Sequence, residues 1–487
     1  METETEPQGR HSGTDSFLYE KNDEFTGFVE GVGTNGEGII RIGETVYFAP
    51  FTVVGEKVKL KTLKRKGNIG YAKAVEILTP ADERVRPQCR QYTKCGGCQL
   101  QHLRYGAQLK FKSKNVAESL RKIAGIEYRI PLAVKSEHQY GYRNKLQLPV
   151  GVGKDGRNII GFYAERTHRI VPIDACPIHP DWAKDIIAVF YDFMKQTGLR
   201  GYDEKTRRGD IRHIVVREVE GCFIITAVTA RDVLPQADLL VRLISKKFKV
   251  FSLWQNVNIG NGNPVFGETF RCLYGEGKYK AHECGIKYIV GPQTFVQVNR
   301  NVCRKLYERI TRYAALSKAT VAVDCYSGGG MLTAMLAKQL SKAYGIECER
   351  EASQCADELV ALNKLEGRMV NLCGKVEDLL PDLLGKINPA DVFLVVDPPR
   401  KGIDRGTLKA ILDTGIRHMA MISCNPATMA RDVGFLTGTL TEDENGALKK
   451  NASDGSFGGT YFNLSYIQPF DMFPQTKHIE ILVILDR

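Results

Sequence analysis

One cysteine closes an apolar run and stands directly before Asn-Pro: Cys424, in the stretch ISCNPATMARD at residues 422–432. The preceding HMAMIS reads as a strand. Asn425 is a favourable N-cap and Pro426 a favourable first helical residue, so a helix should start there. A thiol one residue before a helix amino terminus meets the positive end of the helix dipole, which is expected to lower its pKa and raise its thiolate fraction. Nucleophilic catalysis is the chemistry such a placement offers. A partner for proton transfer lies near the carboxyl end, in FPQTKHIEILVILDR. On a strand His478, Glu480 and Leu482 share one face. A carboxylate at Glu480, amid so much apolar surface, should have a raised pKa and could accept a proton.

These two residues need a pocket. In VAVDCYSGGGMLTAM an apolar strand runs to Asp324, and glycines 328–330 follow before a helix. Such a turn lets a ligand approach the backbone at the carboxyl edge of a sheet. The acid comes first and the glycines start four residues later, an order that suits S-adenosylmethionine (AdoMet) better than a dinucleotide pyrophosphate. The next strand ends in Glu347, placed to accept hydrogen bonds from ribose hydroxyls. In VFLVVDPPRKG, Asp397 ends a further strand and two prolines stiffen the loop after it. Arg400 follows where amine methyltransferases carry a stacking aromatic, which counts against methylation of an exocyclic amine. A thiolate nucleophile suits methylation at pyrimidine C5, because uracil C5 becomes nucleophilic only after a thiolate adds to C6.

A second cluster is CRQYTKCGGC, with Cys89, Cys95 and Cys98, and a distant fourth candidate, Cys176, in IDACPIHP. Four thiolates suit either tetrahedral zinc or an iron–sulphur cluster. Only one C-x2-C knuckle is present, against the usual two of a zinc ribbon, and the proline after Cys176 resembles the iron–sulphur pattern. The spacing differs from the C-x3-C-x2-C of radical AdoMet enzymes. Thirteen cysteines, an odd number spread through a long chain, argue against a secreted disulfide scaffold.

The elements that must hold these residues fall into three parts. Residues 20–79 read as five short strands broken by glycine turns, a small OB-like β-barrel with basic residues crowded at Lys57, Lys59, Lys61, Lys64, Arg65 and Lys66. Residues 80–290 mix strands and helices as a central α/β domain that begins with the cysteine loop. From residue 291 to 487 strands alternate with helices, as in a doubly wound parallel sheet. Residues 1–19 read as a frayed polar tail, and the polar run around 440–460 as a surface insertion. The longest apolar runs are far too short to cross a bilayer, and no signal core opens the chain, so a cytoplasmic protein without membrane contact is expected. A net charge of +12 and an isoelectric point near 9.0 fit a polyanionic partner, with nucleic acid first.

Taken together, the cysteine quartet, TFVQVN, DCYSGGG, DPPRKG, SCNPATMARD and FPQTKHIE resemble the RNA uridine-C5 methyltransferases, in particular the branch acting on 23S ribosomal RNA. The resemblance spans the chain from about residue 25 to its end. It implies an α/β multi-domain protein: an amino-terminal TRAM barrel, a central domain carrying a 4Fe–4S cluster, and a carboxyl-terminal Rossmann-like class I AdoMet methyltransferase fold. It further implies that Cys89, Cys95, Cys98 and Cys176 hold the cluster, and that Gln297, Tyr326, Glu347 and Asp397 contact AdoMet. Cys424 would be the nucleophile and Glu480 the proton acceptor. A helix near residues 107–128 would pack on the catalytic domain. The expected partner is RNA, 23S rRNA ahead of tRNA, bound by a monomer. Met331 and Lys375 stand where relatives carry other cofactor contacts. The rival readings are a radical AdoMet enzyme with a TRAM barrel and a non-catalytic ribosome-assembly factor.

Overall fold

Alternating apolar and polar residues, punctuated by glycine turns, close into a five-stranded barrel in a computed structural model that describes residues 19–442, 448–451 and 461–487. The expected amino-terminal tail, and residues 443–447 and 452–460 of the expected insertion, lie outside the described residues. The chain divides into two compact units. One comprises Met1–Arg86 with His102–Arg104, the other Pro87–Gln101 with Tyr105–Arg487.

In the first unit the strands are β1 (Glu24–Val32), β2 (Gly38–Ile42), β3 (Thr45–Ala49), β4 (Lys57–Lys66) and β5 (Ile69–Thr79), ordered β1-β2-β3-β5-β4 around the barrel. Val29, Ile40, Tyr47, Val58 and Leu60 fill the interior. Gly70 lies under the ring of Tyr47, where a Cβ would come within 2.4 Å of it, so only glycine lets β3 and β5 pair there. The lysines of β4 alternate outward from that core. Two of the basic side chains on this strand are engaged at home: Lys59 pairs with Glu24 at 2.8 Å and Arg65 with Glu20 at 2.7 Å. Lys64 lies over the ring of Tyr71.

The second unit opens with the cysteine loop and α1 (Tyr105–Ser119), which runs into a π-helical turn, Leu120–Ala124, stopped by Gly125 in the left-handed region. A mixed sheet follows: β6 (Lys145–Val152), β7 (Asn158–Tyr163), β8 (Ile170–Pro172), then α2 (Trp182–Thr197), β9 (Ile211–Val219), β10 (Cys222–Thr229), α3 (Ala237–Ser245), β11 (Phe251–Val257) and β12 (Thr269–Tyr274). Its order is β12-β11-β10-β9-β6-β7-β8, and α2 and α3 cover one face through Leu146, Leu148, Ile214, Val216 and Ile225. A hairpin, β13 (Tyr279–Glu283) and β14 (Ile286–Val290), leads onward.

The rest is α4 (Arg300–Leu316), β15 (Val321–Cys325), α5 (Met331–Gln339), β16 (Lys342–Glu347), α6 (Arg350–Asn363), β17 (Met369–Cys373), α7 (Val376–Leu384), β18 (Val392–Val396), α8 (Arg405–Leu412), β19 (His418–Ser423) and α9 (Pro426–Leu436). A small hairpin, β20 (Leu440–Glu442) and β21 (Leu448–Lys450), precedes β22 (Asn463–Phe470) and β23 (Glu480–Asp486). The sheet order is β17-β16-β15-β18-β19-β23-β22. Its first five strands are parallel, and β23 returns antiparallel to β19. The order reverses between β15 and β18, the switch point at which open α/β sheets form ligand crevices. The expected border at residue 290 separates two sheets but not two compact units: Val219 and Ile224 of the central sheet share one core with Ala322, Leu336 and Phe393.

Helix α1 packs against α9 and β22, through Val116 and Leu120 in the core that also holds Met429 and Val433. It carries a fully buried lysine. Lys112 pairs with Asp471, also fully buried, and donates to the carbonyl of Phe473 at 3.0 Å. Breaking such a pair from one side strands a charge in low dielectric. Lys112→Met should therefore cost about 3–5 kcal/mol in urea unfolding, and adding Asp471→Leu should recover most of that loss.

Candidate active site

The glycine turn and the strand ends on either side of the switch point make one cleft. Gln297, Tyr326 and Asp397 line it with Ser327, Gly328 and Thr294. About 910 Å³ of unfilled space, open mouth included, lies there. Tyr326, the first residue after β15, holds φ at 63°, a left-handed conformation that a bulky side chain rarely takes outside functional sites. Its hydroxyl donates to Asp404 at 3.3 Å, and Asp404 in turn caps α8 through the amide of Thr407. Glu347 lies behind the turn and braces it: its carboxylate accepts from the amides of Gly328 at 2.8 Å and Glu349 at 2.7 Å. Gln297 comes from the TFVQVN stretch, whose backbone is tied to the central sheet. The Asn144 side chain donates to the Gln297 carbonyl at 3.0 Å, and its amide donates to Val298.

Cys424 and Glu480 lie within electrostatic reach of each other and of Asp397, which lines the cleft. In the β19–β23 pairing Ser423 stands opposite Ile481, so one step further on Cys424 faces Glu480 across the two strands. Residues directly opposite in an antiparallel pair point to the same face. Asn425 caps α9 as its sequence promises, with its side-chain oxygen accepting from the Ala427 amide at 3.0 Å, and Pro426 opens the helix.

The expected depression of the Cys424 pKa is not what the site produces. Burial pushes the thiol up, the Glu480 carboxyl beside it pushes the same way, and Asp397 adds to them. The Arg400 guanidinium opposes these effects without overcoming them. A helix dipole is worth about half a charge and cannot outweigh two carboxylates in a half-dry corner. Glu480 behaves as expected: burial and then Asp397 hold its carboxyl well above the usual range, with Arg400 opposing. Burial raises Asp397 to about 6. Cys424 and Glu480 thus share the Arg400 guanidinium with Asp397 pressing on both, and the three acids do not all ionise together.

The cleft has a wall that the motifs did not reveal. Glu283 and Tyr288 of the β13–β14 hairpin line it, and Phe295 stands at its rim, 70% exposed. The hairpin sequence carries only an ordinary alternating pattern. Phe295 could have been found, since it is the aromatic next to Thr294 in a stretch already singled out for Gln297.

The four cysteines Cys89, Cys95, Cys98 and Cys176 come together around a separate cavity, with Arg143 in its wall. Backbone and side-chain bonds fix the loop: Gly96 donates to the Tyr163 carbonyl, and the Cys89 amide to Gln101 at 3.1 Å. Burial pushes Cys98 and Cys176 up to about 12, so without a cation they are thiols. Among the described residues no three His, Cys, Asp or Glu side chains are gathered as a ligand set for a metal ion. The coordination geometry of the expected centre is therefore not in evidence, although its donors share one cavity.

Asp324, at the base of the cleft, is raised to about 7. Burial is the main cause, Asp397 and Glu347 add to it, and the Thr333 hydroxyl at 2.6 Å opposes it. Its ionisation works against the fold. The stability it leaves intact below the unfolded pKa near 4 is lost as pH rises towards 7. Asp324→Asn keeps an acceptor for Thr333, so the variant should match the wild type at pH 4 and exceed it by a few kcal/mol at pH 8 in denaturant titrations.

Relatives carry the same arrangement of chain. No family model matches, but an RNA methyltransferase of Clostridium tetani is 35% identical over 471 residues, 96% of each chain. One from Listeria monocytogenes is 34% identical over 470 residues, covering 96% of this chain and 98% of its own. Among solved structures, the Pyrococcus abyssi tRNA (uracil-54, C5)-methyltransferase in complex with S-adenosyl-L-homocysteine superposes with a TM-score of 0.72. It is 23% identical and covers 94% of this chain and 99% of its own. That likeness fixes the fold as a methyltransferase fold with an added barrel. Full-length identity above 30% does more: this chain belongs to the RNA methyltransferase family.

Proposed function

We propose that the protein transfers a methyl group from AdoMet to C5 of a uridine in RNA. The observation that carries this reading is the pair Cys424, just after β19, and Glu480, at the start of β23, each within electrostatic reach of Asp397, which lines the glycine-turn cleft. Gln297, Tyr326, Glu347 and Asp397 would hold AdoMet, whose sulphonium supplies an electrophilic methyl group. The target uridine would leave its stack to reach this edge.

Cys424 gives up its proton to solvent and adds to C6. The sulphur–C6 bond forms and the C5–C6 π electrons move onto the C4 oxygen as an enolate. Arg400 is a cation beside the thiol and favours its ionised form. C5 then takes the methyl group, and the electrons of the broken methyl–sulphur bond stay on the departing sulphide. Glu480, which must first release its own proton to solvent, removes the C5 proton as a carboxylate. The C5–C6 double bond re-forms, the sulphur–C6 bond breaks, and Cys424 is returned as a thiolate. A carboxylate in so dry a place is a stronger base than one in water, which is what removal of a carbon-bound proton needs.

Large-subunit ribosomal RNA is our first candidate substrate, from the pairing of a TRAM-like barrel with the four-cysteine loop. Transfer RNA is the rival, since the Pyrococcus abyssi structural neighbour is named for it. For Cys89, Cys95, Cys98 and Cys176 we propose a 4Fe–4S cluster. Four donors spread around one cavity suit a cluster better than a single ion, which needs every sulphur about 2.3 Å from one point. Arg143 in the cavity wall would offset the negative charge of four thiolates. Anaerobically purified protein should contain iron and acid-labile sulphide in equal amounts, and Cys98→Ala should lose both; zinc without sulphide would refute the cluster.

AdoMet-dependent tritium release from RNA labelled at uridine C5 tests the reaction, with ribosomal RNA and tRNA as separate substrates. Release should vanish in Cys424→Ala. Glu480→Gln should methylate without resolving, leaving an RNA–protein adduct that survives denaturing electrophoresis. Because the thiol is pushed upward, single-turnover rates should rise with pH from 6 to beyond 8; a rate that falls over this range would exclude thiolate attack as the limiting step.

A further inference from the structure

The central sheet has two unlike faces. One is apolar and covered by α2 and α3. On the other, strand register lines up Lys145 of β6, Arg217 of β9 and Ile224 of β10 in one row. The next rows hold Gln147, Val215, Thr226 and Trp254, and then Pro149, His213 and Val228. No carboxylate stands in these rows. The donors Arg217 Nε and Trp254 Nε1, and the ring nitrogen His213 Nδ1, are buried without a hydrogen-bond partner among the described residues. Arg217 is only 5% exposed, and among the described residues no ion pair is formed by it or by the half-buried Lys145. Lys145 is pushed down to about 8 by burial and by Arg217 and Arg143, with no acid to offset them. Burial alone accounts for the fall of Arg217 to about 10.

Buried cations are normally paired, because desolvation without a counter-charge is costly. Two of them side by side, with the unpaired Trp254 N–H in the adjacent row and no acceptor among the described residues, form a place suited to an acceptor-rich anion. We propose that this face, at Lys145 and Arg217, is a subsite for a backbone phosphodiester of the bound RNA. The proposal rests on the RNA-substrate reading above and adds to it the place and the chemistry of one contact. Arg217 presents a fork suited to two phosphate oxygens, and Lys145 the point charge beside it. Gln147, partly exposed in the next row, offers a polar group for the adjoining nucleotide.

The test compares wild type, Arg217→Met and Lys145→Met, as anaerobically purified full-length protein. Affinity for a fluorescein-labelled, uridine-containing single-stranded RNA is measured by anisotropy across a salt series, with S-adenosylhomocysteine binding and thermal unfolding alongside. Each variant should bind RNA about tenfold more weakly at low salt. Each should also lower the slope of log K against log salt by about 0.7, the loss of one phosphate contact on a single strand. Homocysteine-nucleoside affinity should not change. The melting temperature of Arg217→Met should hold or rise, since an unpaired buried charge has been removed. An unchanged salt slope in both variants would overturn the subsite, as would a fall in melting temperature with RNA affinity intact, which would make Arg217 structural. If Arg217→Met does not fold, the slope of Lys145→Met decides. Wild type that binds no RNA at any salt would instead remove the RNA reading, and the subsite with it.

Discussion

One antiparallel return governs the candidate site. Five parallel strands leave every carboxyl end at the same edge, so a doubly wound sheet alone could bring Asp324, Asp397 and Cys424 together. It could not bring a residue from the amino end of a strand. Strand β23 does this by running back beside β19, which sets its first residue, Glu480, against the last turn of chain before α9. A slip of one residue would turn Glu480 to the other face. The register is held from both sides: Ile481, Val483 and Leu485 face one core, Leu482 and Ile484 the other. The segment leading into β23 is pinned as well. Lys112 holds Asp471, Gln108 exchanges bonds with Gln475, and the amides of Gln99 and Leu100 donate to the Gln475 carbonyl.

That last contact ties the cysteine loop to the proposed base. Gln99 and Leu100 follow Cys98 directly, and Tyr142, near the same cavity, donates to the Pro474 carbonyl at 3.1 Å. A group bound by the four cysteines would stiffen the loop whose backbone positions residues 474–477. Such a group need not exchange electrons with the substrate to matter for the reaction. Its contribution would be geometric, passed along six residues to Glu480.

How much of this was legible in the chain depends on how local the signal is. The Asn425 cap, the Pro426 start, the glycine turn and the barrel's alternating strands are written in neighbouring residues, and the structure follows them. The raised pKa of Glu480 was also legible, because apolar residues flank it on both sides. The pKa of Cys424 was read in the wrong direction for the same reason in reverse. Its helix dipole is local and visible, whereas Glu480 and Asp397 reach it from strands far away in sequence. The hairpin wall at Glu283 and Tyr288 and the unpaired face around Arg217 were invisible on similar grounds. Each is a product of strand register, and the sequence marks neither with glycine, proline or spacing.

The raised thiol is not an obstacle to the proposed chemistry. A thiolate with a very low pKa is abundant but weakly nucleophilic, since nucleophilicity falls with basicity. It would also be a good leaving group before the methyl group arrives. A thiol held up by burial and by two carboxyl neighbours makes the opposite compromise: scarce as the anion, reactive when formed. The same corner supplies a counter to scarcity in Arg400, whose guanidinium favours the ionised sulphur against burial and its acidic neighbours. The thiolate need form only in a small fraction of encounters, because its addition to C6 carries the negative charge off the sulphur and onto the uracil.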